Sequence, residues 1–129
     1  MICSSVQSMK MDPPREGDRI LVLQPEWLKL ILSGKKTMEL RSRRMCPGPI
    51  WLGSKGVMQG FAIIGAPVLI PDSSSYAAHS EKHRCPAGTL HYKKIWGLPL
   101  HDVQRFASNV PYIHTRGAVG IVKFRSRAG

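Results

Sequence analysis

Apolar residues first gather in a continuous run, Ile20-Leu21-Val22-Leu23, which suits a strand buried on both faces. A helix is predicted over 25–33. Pro25 fits its first position, Glu26 its positive end, and Trp27, Leu28, Ile31 and Leu32 recur at helical spacing. Gly34 is the natural stop. From Lys36 to Arg41 the period changes to alternation. Thr37, Glu39 and Arg41 then share one strand face, and Met38 and Leu40 point the other way, toward a core. Cys46-Pro47-Gly48-Pro49 reads as a turn. Ile50 to Leu52 and Gly60 to Leu69 read as two further strands, with Gly56 in the hairpin between them.

The second half of the chain has weaker punctuation. Residues 71–89 carry the fewest signals of order: Pro71-Asp72-Ser73-Ser74-Ser75, then His79 to Cys85, then Pro86-Ala87-Gly88. Leu90 to Trp96 fits a strand. Leu98 to Phe106 fits a short helix, with Val103 and Phe106 on one side, and Ala118 to Phe124 fits a closing strand. These elements predict an α+β fold, a small mixed β-barrel of five to six strands with one or two packed helices. Its bounds are set at 19–125, between a flexible leader at 1–18 and a frayed tail at 126–129.

Composition narrows the function. A chain of 129 residues with 43% hydrophobic positions can bury one core, so one domain is expected, and a monomer. Nineteen Lys and Arg against eight Asp and Glu give a net charge of +11, the balance of a nucleic-acid-binding domain. The one clear helix holds only Lys29 in its interior, which argues against membrane-surface binding. The apolar run Phe61 to Ile70 is too short to span a bilayer and contains Pro67. Residues 1–11 carry no signal-peptide pattern, and the odd count of three cysteines suits reduced thiols. An intracellular protein, in cytoplasm or nucleus, is therefore expected.

The densest chemistry lies in Gly34-Lys35-Lys36-Thr37-Met38-Glu39-Leu40-Arg41, followed by Arg43 and Arg44. One carboxylate among so many cations is unlike a solvated salt-bridge face, where the signs interleave. The segment fits G-x-K-x-x-E-x-R without a gap. With Leu23-Gln24-Pro25-Glu26-Trp27 before it, and Pro49 to Lys55 and Gly60 to Gly65 after it, the chain resembles the ASCH family (activating signal cointegrator homology). The resemblance covers residues 20–70, and Tyr112 and Gly117 to Phe124 extend it. It implies a barrel similar to PUA RNA-binding domains.

Nucleic acid is the expected partner, RNA in preference to DNA, single-stranded or carrying a modified nucleotide. Lys36 stands where helix passes to strand, to contact phosphate or, in an enzyme, to act as a base. Glu39 would accept from a base amino group and Arg41 would donate in bidentate fashion; a salt bridge between the two is the structural reading, and both can hold at once because a pre-oriented Arg loses less entropy on binding. Arg43, Arg44 and Lys55 extend the basic surface. Lys82, Arg84, Lys93 and Lys94 form a second stripe with His91 and Tyr92 interleaved. Trp51, Tyr92 and Trp96 are candidate stacking rings, although a Trp in a small barrel more often belongs to the core. His79, His83, Cys85 and the distant Cys46 offer zinc-type ligands at a non-standard spacing, so no metal and no cofactor is assigned.

Two other functions stay open. Some small ASCH proteins resemble amidohydrolases acting on acylated cytidine through Lys, Thr and Glu, and others are nucleases. Lys36 occupies that lysine position and Glu39 would be its catalytic partner here. Glu39, however, stands where the subgroup has threonine, and residues 90–96 and 117–125 hold no carboxylate. A protein-interaction role in a coactivator-like assembly is the third reading.

Overall fold

The apolar run at the start of the pattern forms strand β1 (Arg19–Val22), and the amphipathic segment forms helix α1 (Pro25–Leu32). These belong to a computed structural model that describes residues 13–86, 95–114 and 120–125. Helix α1 ends where the sequence ends it. Ser33 caps it, and Gly34 follows with φ of +83°, a conformation that favours glycine. The alternating segment is β2 (Met38–Arg41). The hairpin is β3 (Gly48–Ser54) and β4 (Val57–Ile64), joined by Lys55 and Gly56 with φ of +52° and +82°. Two consecutive positive φ values are the hairpin geometry that matches strand twist.

After β4 come β5 (Val68–Ile70), α2 (Ser73–Ala78), α3 (Ser80–His83), β6 (Ile95–Pro111) and β7 (Gly120–Lys123). The seven strands make one mixed sheet in the order β2-β6-β4-β3-β1-β7, with β5 pairing β6. Among the described residues only β1 and β3 run parallel, and the other pairings are antiparallel. The sheet curls into a half-barrel, so the fold is a small α+β barrel, with more strands and helices than the sequence suggested.

Three differences have identifiable causes. Residues 98–106 are strand, not helix: Leu98 and Leu100 are both buried at a period of two, and Leu100 N–H donates to the Thr37 carbonyl at 2.9 Å. Pairing with β2 and with β4 along its length outweighs the helical spacing of Val103 and Phe106. The run Gly60 to Leu69 is split, because β4 ends at Ile64 and Pro67, which lacks an N–H, precedes β5. Where the sequence carried the fewest signals of order, the described residues 71–86 hold two short helices, the first capped by Asp72, whose Oδ1 accepts from Ser75 N–H at 2.8 Å. Gly17 and Asp18, counted with the leader, hold to the barrel. Gly17 N–H donates to the Phe124 carbonyl at 2.9 Å and Asp18 accepts from Trp51 Nε1 at 3.0 Å.

The alternation of β3 divides the core in two. Ile50 and Leu52 join Leu28 and Ile31 of α1 on one face, while Trp51 packs with Ile20, Met58 and Tyr112 on the other. A third cluster, Met38, Ile70, Tyr76 and Ile95, seats α2 against the β2 end. Gly60 lets these layers approach. A Cβ there would stand 2.6 Å from both the Gln104 carbonyl oxygen and Leu32 Cδ2. Among the described residues no helix is long and apolar enough to cross a membrane.

Candidate nucleic-acid interface

Among the described residues β2 pairs only with β6, at one end of the strand order, and β1 and β7 lie at the other end. A side chain spans this seam. Arg41 donates from Nη2 to the Val22 carbonyl of β1 at 2.8 Å, and its Nη1 lies 3.6 Å from where a Gly120 Cβ would stand. Glu39, two residues earlier on the same face, aims the guanidinium. Its Oε2 is 2.8 Å from Arg41 Nε and 2.7 Å from Nη2.

The other Glu39 oxygen, Oε1, lies 3.4 Å from Lys36 Nζ. Lys36 is 1% exposed and its ammonium group is fully engaged. It donates to the His83 carbonyl, lies 3.8 Å from Cys85 Sγ, and sits 4.9 Å from the centre of the Trp27 ring. Lys36 is therefore not a surface phosphate contact, which corrects the sequence-based expectation. A buried lysine is stable here because one carboxylate, one carbonyl and one aromatic face replace its water. Glu39 forms the salt bridge with Arg41 that the sequence allowed, and its second oxygen faces Lys36. The Lys36–Glu39–Arg41 chain is a structural clamp that ties α3, β2 and β1 together.

His83 forms the other side of this clamp and is 0% exposed. Its Nε2 faces the Tyr76 carbonyl at 2.9 Å and its Nδ1 faces Cys85 N–H at 2.9 Å. A carbonyl only accepts and an amide only donates, so the proton is on Nε2 and the ring is neutral. Burial holds its pKa below the ordinary value; the Tyr76 bond works against this, and Lys36 and His79 add to it. Burial pushes the Cys85 thiol up, with the nearby Lys36 opposing. His79 Nδ1 is 2.8 Å from the Ser75 carbonyl, and Cys46 is exposed on a separate loop. Among the described residues no group of three His, Cys, Asp or Glu could hold a metal ion.

A groove of about 920 Å³ opens along the seam. Arg41, Arg43, Arg44 and Lys55 line it, with Glu39 as its one carboxylate among the described residues and Trp27, Gln24 and Met45 alongside. Arg43, Arg44 and Lys55 are exposed. Glu39 is already matched by Lys36 and Arg41, so the groove presents uncompensated positive charge. Thr37 is exposed but does not line it.

Ser54 and His114, which the sequence did not single out, also line the groove. Ser54 is 4% exposed. Its Oγ and His114 Nδ1 are buried without a hydrogen-bond partner among the described residues. No local pattern marks either residue: one is an ordinary strand serine, the other follows a Pro-Tyr-Ile segment.

The remaining candidates scatter. Lys82 and Arg84 are exposed around the end of α3, away from the groove lining. His91, Tyr92, Lys93 and Lys94 lie outside the described residues. Trp51 is buried, edge-on to Phe61 at 5.2 Å between ring centres, which removes it as a stacking platform. Trp96 is partly buried against the main core.

Comparison with solved structures decides the fold. A serine-to-alanine variant of the ASCH protein from Zymomonas mobilis superposes with a TM-score of 0.70 at 21% identity, covering 88% of this chain and 92% of that one. The fold is that of ASCH proteins. A second structure of the Zymomonas mobilis ASCH protein gives 0.61 at 25% identity over 69% of this chain and 70% of that one. A tyrosine-to-phenylalanine variant gives 0.64 at 24% over 74% and 76%. No family model and no curated protein matches the sequence.

Proposed function

We propose that this ASCH domain binds RNA, single-stranded or carrying a modified nucleotide, through its basic groove. The supporting observation is the charge balance of the seam. Arg41, Arg43, Arg44 and Lys55 surround a groove whose sole carboxylate is already paired. Arg43, Arg44 and Lys55, exposed beyond the clamp, attract the phosphate backbone and release its counterions. The clamp contributes by holding Arg41 in one orientation, so that less side-chain entropy is lost when it meets a phosphate. Lys36 and Glu39, the pair that would serve a hydrolase, satisfy each other instead, which favours a binder over a catalyst.

The test is a titration of isotope-labelled protein with a short oligouridine, followed by NMR. Amide shifts should concentrate on residues 41–45, 54–55 and 120–121, which line the groove. Shifts confined to the opposite face, around Trp51 and Phe61, would overturn the assignment of the site.

A further inference from the structure

The cations of the groove recognise phosphate but do not distinguish RNA from DNA, since both carry it. Something else in the groove must make that choice. The Ser54 hydroxyl and the His114 ring nitrogen are the candidates, because both are buried in its lining with no partner among the described residues. Buried polar atoms are almost always hydrogen-bonded, so a pair left open in a groove marks where a ligand atom completes them.

Their positions are fixed. Ser54 ends β3 beside the tight Lys55-Gly56 turn, and the Gly56 carbonyl accepts from Tyr112 N–H at 2.9 Å, two residues before His114. One hairpin thus anchors both groups. The Tyr112 ring also packs against Gly53, where an added Cβ would meet Tyr112 Cε1 at 3.0 Å.

We infer that Ser54 and His114 read the ribose 2′-hydroxyl of an RNA strand lying in the groove. The inference rests on the groove being the RNA site. Three considerations select this ligand. A serine hydroxyl and an imidazole nitrogen can each donate or accept, which matches a hydroxyl that does both. The groove's carboxylate is drawn into the clamp with Lys36 and Arg41, whereas the Ser54 and His114 atoms have no partner among the described residues. Finally, Ser54 is adjacent to Lys55. In a ribonucleotide the 2′-oxygen and the 3′-phosphate are on neighbouring carbons, so adjacent serine and lysine side chains suit adjacent hydroxyl and phosphate.

Oligouridine, oligodeoxyuridine and 2′-O-methyl oligouridine of equal length separate the sugar from the base, because all three carry uracil. Their affinities would be measured by fluorescence anisotropy at fixed salt, for the unaltered protein and for Ser54→Ala. The unaltered protein should bind the ribose oligomer about tenfold more tightly than either sugar variant, the size of one hydrogen bond to a buried group. Ser54→Ala should lose most of that preference while keeping its affinity for oligodeoxyuridine, which also shows that the variant is folded. Equal binding of all three by the unaltered protein, or a preference that survives Ser54→Ala, overturns the 2′-hydroxyl reading and leaves the basic groove standing. Failure to bind any of the three would overturn the groove as well.

Discussion

Glu39 grips Arg41 through a single carboxylate oxygen, with Oε2 2.8 Å from Nε and 2.7 Å from Nη2. That leaves Oε1 for Lys36, and the one carboxylate serves two cations. Because Arg41 also donates to Val22, the pair stands where a side chain joins β2 to β1. The charge pattern of the motif is thus built into the barrel's closure, and Arg43, Arg44 and Lys55 remain exposed around it.

Removing the shared anion should therefore cost more than removing one cation. Glu39→Gln preserves shape but leaves Lys36 and Arg41 uncompensated, and breaking a buried pair in this way costs about 3–5 kcal/mol. Lys36→Met leaves Glu39 with Arg41 and strands mainly the His83 carbonyl, a loss of about 1–3 kcal/mol. Denaturant unfolding of the two variants measures the order. A milder effect from Glu39→Gln than from Lys36→Met would show that the carboxylate is not the hub.

The neutral His83 makes stability fall in acid. Its folded pKa is held below the ordinary 6.5, chiefly by burial, so the unfolded chain binds the extra proton more readily. Where the unfolded state holds more protons, stability rises with pH and is lost as pH falls. The loss should begin near the ordinary value of 6.5 and continue down to the depressed folded value. Protonation would place a second donor on Nδ1 against Cys85 N–H. Thermal midpoints between neutral pH and pH of about 5 should drop, and the drop should be smaller in His83→Gln measured against its own neutral value. Equal drops in both proteins would exclude His83 as the source.

Much of the barrel was legible in the sequence because local signals and tertiary packing agree there. Pro25, the Trp27-Leu28-Ile31 stripe and Gly34 bound α1, and the alternation at 37–41 set the faces of β2. Where local signals were few or ambiguous, the reading failed. Val103 and Phe106 mimic a helix because their strand is long and bent, with Asp102 at φ of +52° and register shifts in its pairing with β4. Asp72 was the available signal for α2, and the serines beside it read as loop. Lys36 could not be read as buried, since its acceptor is a carbonyl 47 residues away. Ser54 and His114 become notable only once the fold places both in the groove lining, their Oγ and Nδ1 unpaired among the described residues.

Salt dependence tests the central claim, that backbone phosphates are held by the groove's cations. For single strands, log affinity falls by about 0.7 per unit of log salt for each phosphate neutralised, so the three or four groove cations should give a slope of roughly −2 to −3. Arg43→Ala and Lys55→Ala should each reduce the magnitude of that slope by up to about one unit. The measurement is the affinity of the unaltered protein and these two variants for oligouridine across a salt series. A slope that is steep in the unaltered protein and flatter in both variants is the expected result; a slope near zero, or one unchanged by either substitution, would contradict the account.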